Sequence, residues 1–194
     1  MTALALTDRS TLRAGLIGVG LTAAVTGRWA ATVSFVADPV VIGFGFAGAL
    51  AAVAVAGGLP LAPPRVRSLP IGFVGGAVLV GMAVLARFEV GWPPSAMPVA
   101  LIPWAVATIM VATTEEAVLR GALFESLAEQ AGPGNAVLVT SVAFALMHVP
   151  LYGWQVVPLD LGVGLWLAGL RLLSGGIVAP ALAHALADLA TRWL

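Results

Sequence analysis

The sequence predicts an all-α, polytopic transmembrane helix bundle of about seven spans, within a range of six to eight. Three observations predict it. Of 194 residues, 60% are hydrophobic and only 9% are charged, against about 25% charged in soluble domains. Mean hydropathy is +1.05. The apolar residues fall in long runs parted by short stretches rich in Pro, Gly and Arg, and each span needs about 20 residues. The chain reads as one membrane domain, 1–194, with no internal repeat of 20–50 residues. Net charge is zero, which gives no electrostatic case for nucleic acid. Cysteine is absent, which excludes disulfides, iron–sulfur clusters and thiolate zinc sites. All nine basic residues are Arg. With so much Ala and Gly, that composition points to a GC-rich bacterial genome.

Met1 to Arg13 is a short polar start. Ala14 to Ala37 is the first span, with Arg28 snorkelling or marking an early helix end. A signal peptide is the alternative, but no small-x-small cleavage site follows and another span comes at once. Asp38-Pro39 is a turn. Val40 to Gly58 is the second span, rich in the small residues that favour close packing in lipid. Leu59 to Pro70 is a loop, Ile71 to Ala86 the third span, and Arg87 to Pro94 a loop with Trp92 at the interface. Met97 to Ala112 is the fourth span, kinked at Pro103. Leu119 to Ala131 continues as helix and ends at Gly132-Pro133-Gly134. Asn135 to Val149 and Gln155 to Leu173 are further spans, and Ser174 opens the last helix. Tryptophans are expected at the interfaces. Asp160, Arg171, Glu125 and Glu129 read as interfacial or solvated charges. Arg9, Arg13, Arg65, Arg67, Arg120 and Arg171 share one side if the N-terminus is cytoplasmic, as the excess of positive charge on that side requires.

The chemistry begins at Thr113-Thr114-Glu115-Glu116-Ala117-Val118-Leu119-Arg120-Gly121. Charges persist in membrane helices mainly where they pair or work. Glu116 and Arg120 are four apart and share a face. Glu115 is turned about 100° from Glu116, away from Arg120. The two histidines each end or begin a four-residue step, Phe144 to His148 and His184 to Asp188. That spacing predicts that Asp188 accepts the N–H of His184 and fixes its tautomer. Pro180 is expected to open the helix one turn before His184. Two chemistries fit the set. Glu115 is a general base on water, with the histidines holding the water or the oxyanion. Alternatively, His148, His184 and a carboxylate bind zinc, although the His-Glu-x-x-His helix is absent.

Glu115-Glu116-x-x-x-Arg120-Gly121, Phe144-x-x-x-His148 and His184-x-x-x-Asp188 resemble, in order, the three motifs of the CPBP (ABI) family of intramembrane endopeptidases. That family includes type II CAAX prenyl proteases and bacteriocin-processing or self-immunity proteins. The resemblance covers residues 98–194. It implies a polar cavity open to the cytoplasm and peptide-bond hydrolysis within it. It assigns Glu115 as catalytic base, with His148, His184 and Asp188 in the site and Glu116 and Arg120 in support. Asp188 stands where Asn is frequent, and an ionised Asp cannot donate a hydrogen bond. The expected activity is hydrolysis of a membrane-associated peptide or protein by Glu-activated water in a bacterial cell membrane. No cofactor is then required. Zinc on His148 and His184 is the variant form, and a non-catalytic immunity or scaffold protein is the alternative. A transporter is disfavoured because no inverted repeat pairs the two halves.

Overall fold

The computed structural model describes residues 3–34, 37–59, 65–90 and 100–193, with side chains from residue 9 onward and, in the third helix, as far as Leu85. Every regular element among them is helical. The order is α1 (Ala3–Val33), α2 (Pro39–Ala56), α3 (Ser68–Val90), α4 (Leu101–Glu116), a π-helical segment (Ala117–Leu123), α5 (Phe124–Tyr152), a 3-10 turn (Trp154–Val156), α6 (Val157–Ser174) and α7 (Val178–Ala190). Helix α3 runs to Val90, four residues into the stretch assigned as a loop at Arg87–Pro94; Trp92 and the rest of that stretch lie outside the described residues, as does the start of the fourth span at Met97.

Five helical runs are long and apolar enough to cross a membrane, and α7 is shorter. The expected count of about seven differs for two physical reasons. The run Leu101–Tyr152 counts once but is a hairpin. Gly132 at its centre has φ 82° and ψ 166°, a conformation open to glycine alone without strain. Glu115 precedes this bend, Gln130 reaches Thr11 at the start of α1 (3.0 Å), and Phe144 returns to contact Arg120 (4.9 Å from guanidinium carbon to ring centroid). The other reason is α7, whose 13 residues extend about 20 Å, short of a ~30 Å hydrocarbon core.

Caps and prolines place the helix starts. Asp38 caps α2, its side chain accepting from the Val40 N–H at 2.8 Å, with Pro39 at the first turn. This combination satisfies one free N–H and supplies a preset φ. Pro103 and Pro180 do not interrupt helices as expected. Each is the third residue of its helix, α4 and α7 respectively. There a missing N–H forfeits no bond, so neither kinks its helix. Ser174 closes α6 instead of opening α7. Its hydroxyl donates to the Leu170 carbonyl (2.7 Å) and the Gly176 carbonyl (3.0 Å), and Gly175 follows in the left-handed region.

The core collects Ile17, Leu50, Leu119, Phe144 and Leu167. Leu119 to Leu123 is an extension of the span, since every residue of the π segment is buried. Within it the Phe124 N–H reaches the carbonyl of Leu119, five residues back, as π geometry requires. Gly121 lies against the end of the Leu59 side chain, which would have to shift to admit a Cβ. Trp104 is buried and packs edge-on against Trp193 (6.3 Å), so it is no interfacial anchor. Trp154 and Trp193 are exposed, as an interfacial belt requires.

Arg120 ties three elements together. It is fully buried and donates from Nη1 to Glu116 (2.9 Å) and from Nη2 to the Gly164 carbonyl of α6 (2.8 Å). Removing one member of a buried ion pair costs ~3–5 kcal/mol, because the other charge stays behind unpaired. Arg120→Ala should therefore lower the thermal unfolding temperature of detergent-solubilised protein by several degrees. A variant as stable as the parent would show that the pair does not hold the bundle.

Candidate active site

Adjacent residues on α4 divide into two environments. Glu116 faces inward to Arg120, and its Oε1 also meets His184 Nδ1 at 3.1 Å. Glu115, 2% exposed, has two ionic contacts and no hydrogen bond among the described residues. Its Oε1 lies 3.7 Å from Arg28 Nη1 and its Oε2 3.7 Å from His184 Nε2. At that separation neither contact is a hydrogen bond, and both carboxylate oxygens retain lone pairs for a water.

His184 is not oriented as the four-residue spacing predicts. Its hydrogen-bonded partner is Glu116, whereas Asp188 stands 3.5 Å away on the opposite ring nitrogen, Nε2. Asp188 is 40% exposed, and a buried carboxylate already held by Arg120 is the better-fixed acceptor. His148 has its own constraint. Its Nδ1 is 2.9 Å from the Phe144 carbonyl and 3.4 Å from Asp160 Oδ2. A carbonyl only accepts, so Nδ1 carries the proton and Nε2 is the free nitrogen of the neutral ring. The Phe144 ring joins the two histidines, with centroids 4.8 Å from His148 and 5.3 Å from His184. All six residues singled out in the sequence thus belong to one connected cluster: Glu115, Glu116, Arg120, His148, His184 and Asp188.

Three charges read as interfacial are held by this cluster or its support. Asp160 faces His148. Arg171 donates from Nε to the Arg120 carbonyl (2.9 Å) and from Nη2 to Glu125. Glu129 alone of the four is exposed. The residue that sequence reasoning missed is Arg28. It lies beside the Phe46 ring (4.6 Å to the centroid) and reaches Glu115 from α1, and α1 does not end there but runs on to Val33. Its signal was its isolation: a lone charge in an apolar run, at a depth where charge persists mainly with a partner.

The zinc variant needs three protein donors and an open position. Among the described residues no group of three or more His, Asp or Glu side chains is placed to hold a metal. Both nitrogens of His184 face carboxylates and His148 Nδ1 is spent on Phe144. This arrangement of the described residues does not fit a zinc set.

Residues 97–190 match the family model described as type II CAAX prenyl endopeptidase Rce1-like. That stretch holds all three motifs, and the match supports assigning the chain to the CPBP, or CAAX-protease, family. No curated protein and no solved structure matches the chain.

Arg28 lies outside the matched stretch, which makes it the informative variant. Arg28→Met should slow cleavage about tenfold, the effect of ~1.4 kcal/mol, with thermal stability near that of the parent. Arg28→Lys should recover part of the loss. Unchanged turnover in Arg28→Met would remove Arg28 from the site.

Proposed function

We propose that the protein is an intramembrane endopeptidase that hydrolyses a peptide bond of a membrane-associated polypeptide, with Glu115 activating a water. The observation that carries this reading is Glu115 itself: a buried carboxylate, flanked by a guanidinium and an imidazole, with no hydrogen bond of its own among the described residues. Its neighbour Glu116 has opposite properties, being committed to Arg120 and His184. The family supports peptidase chemistry.

The reaction balances with these groups. Glu115 takes a proton from water as the oxygen adds to the scissile carbonyl carbon. The carbonyl oxygen becomes an oxyanion. N–H donors of His184 and Arg28 are the groups available to stabilise it. The C–N bond breaks, the proton on Glu115 passes to the leaving nitrogen, and an acid and an amine result. Glu116 orients His184 and the Phe144 carbonyl orients His148, with Asp188 3.5 Å from His184 Nε2 and Asp160 3.4 Å from His148 Nδ1 as flanking charges. Glu116 and Arg120 fix the helix that presents Glu115.

Glu115→Gln keeps the shape of the side chain and removes the base. It should lower cleavage of a membrane peptide by ~100- to 10,000-fold while the protein still unfolds cooperatively at close to the parent temperature. Full activity in that variant would defeat the reading. Metal content by mass spectrometry on active, chelator-dialysed protein separates the zinc form. Near-stoichiometric zinc, with activity lost on its removal and restored on its return, would replace the glutamate mechanism.

A further inference from the structure

Helices α1 and α2 pack antiparallel and leave a groove on their exposed side. Arg13 meets the carbonyls of Gly57 and Gly58, Gly20 packs on Val53, and Arg28 lies over Phe46. Residues farther along α1 thus meet residues earlier in α2. The groove has a volume of about 590 Å³, within the range of small-molecule sites. On α1 it starts at Arg9 and ends at Gly20. That stretch covers about 16 Å of helix, roughly half of a ~30 Å hydrocarbon core and so the depth of one leaflet. Arg28 is about 12 Å farther along the axis, so the groove is separate from the Glu115 cluster.

The two parts of the groove differ in chemistry. Its length is apolar, with Leu12 and Leu16 from α1 facing Ala52, Val53 and Ala56 from α2. Leu12 and Leu16 are each 64% exposed, so lipid chains are what this surface meets in a bilayer. Its head is cationic. Arg9 is exposed and has no ion pair among the described residues. Arg13 has partners, but neutral ones: Nε donates to the Gly57 carbonyl and Nη2 to the Gly58 carbonyl (2.8 Å). Those bonds orient the guanidinium and leave its charge uncompensated, and Nη1 takes part in neither. None of the described lining residues is acidic. Asp8, the acidic residue next to Arg9 in sequence, is placed about 100° round the helix from it.

Guanidinium groups present forked donors that match a phosphate, and basic pockets between membrane helices take anionic headgroups. We infer that this groove binds an anionic phospholipid, with its phosphate at Arg9 and Arg13 and an acyl chain along Leu12, Leu16 and Val53 toward Gly20. A free anion would leave the apolar length unfilled. An uncharged chain would leave both guanidiniums without a counter-charge.

The test uses the full-length protein in a neutral detergent. Phosphatidylglycerol is the anionic probe and phosphatidylcholine the zwitterionic control. Native mass spectrometry counts bound lipid, and the thermal unfolding temperature is followed in parallel. Phosphatidylglycerol should be retained and should raise the unfolding temperature, as a ligand of the folded state does. Phosphatidylcholine at the same concentration should do less of both. Arg9→Gln should weaken phosphatidylglycerol binding about fivefold, the share of one basic residue, and Arg9→Lys should keep most of it. Ala56→Trp fills the groove, leaves both arginines in place and should also lower retention. Equal retention of the two lipids overturns the inference, as does unchanged phosphatidylglycerol binding in either Arg9→Gln or Ala56→Trp. An equal thermal rise with inorganic phosphate or with dihexanoyl phosphatidylglycerol overturns it too, because the apolar length would then play no part. A dimer that Ala56→Trp disrupts and phosphatidylglycerol does not displace would give the groove to a second copy of the chain and overturn it as well. If Ala56→Trp does not fold, Arg9→Gln still decides the charge and the short-chain lipid the apolar length.

Discussion

The arrangement depends on an ion pair that has no access to water. Glu116 and Arg120 are both completely buried. Taking two charges out of solvent costs several kcal/mol each before their attraction returns any of it. Here the return is incomplete: Glu116 Oε2 and Arg120 Nε have no hydrogen-bond partner among the described residues. A pair kept under those terms is a geometric device more than a stabilising one. It fixes α4 against α6 through the Gly164 carbonyl and against α7 through His184. Sliding any of the three would leave a buried charge without its partner.

Geometry explains why two adjacent glutamates have different fates. Successive helical residues differ by about 100°, so a helix that commits Glu116 to the interior turns Glu115 toward α1 and the exposed side of His184. The wide π turn that follows has the Arg120 carbonyl accepting from Arg171 Nε. Arg120 is thus held at its side chain by Glu116 and at its backbone by Arg171. The Phe144 ring lies against its guanidinium and against both imidazoles. One aromatic side chain therefore sets the spacing of three functional groups from different helices.

Much of this was legible in the sequence where the signal is local. Four-residue spacing gave the Glu116–Arg120 pair, and low charge with long apolar runs gave the helical membrane fold. What escaped was what depends on another helix. Asp188 shares a face with His184, but spacing carries no information on Glu116, 68 residues earlier, which occupies the other nitrogen. Asp160 reads as a helix-end charge until α6 is laid beside α5. Pro103 and Pro180 were read as breaks because a proline's effect depends on where its helix starts, and apolar runs place starts poorly.

Arg28 shows why the N-terminal half belongs to the site. Helix α1 is mostly exposed, and lipid provides no hydrophobic drive for one helix to bind another. Ile17, Leu21 and Val25 pack into the core, and polar contacts add to that packing at the two ends. Ser10 and Arg13 fasten one end, to α5 and to the end of α2, and Arg28 fastens the other, at Glu115. The second contact is the looser, at 3.7 Å and with the guanidinium one-fifth exposed. The motifs of residues 97–190 supply the carboxylate, but the cation beside it comes from a helix outside that stretch, so the C-terminal half alone would hold an incomplete site.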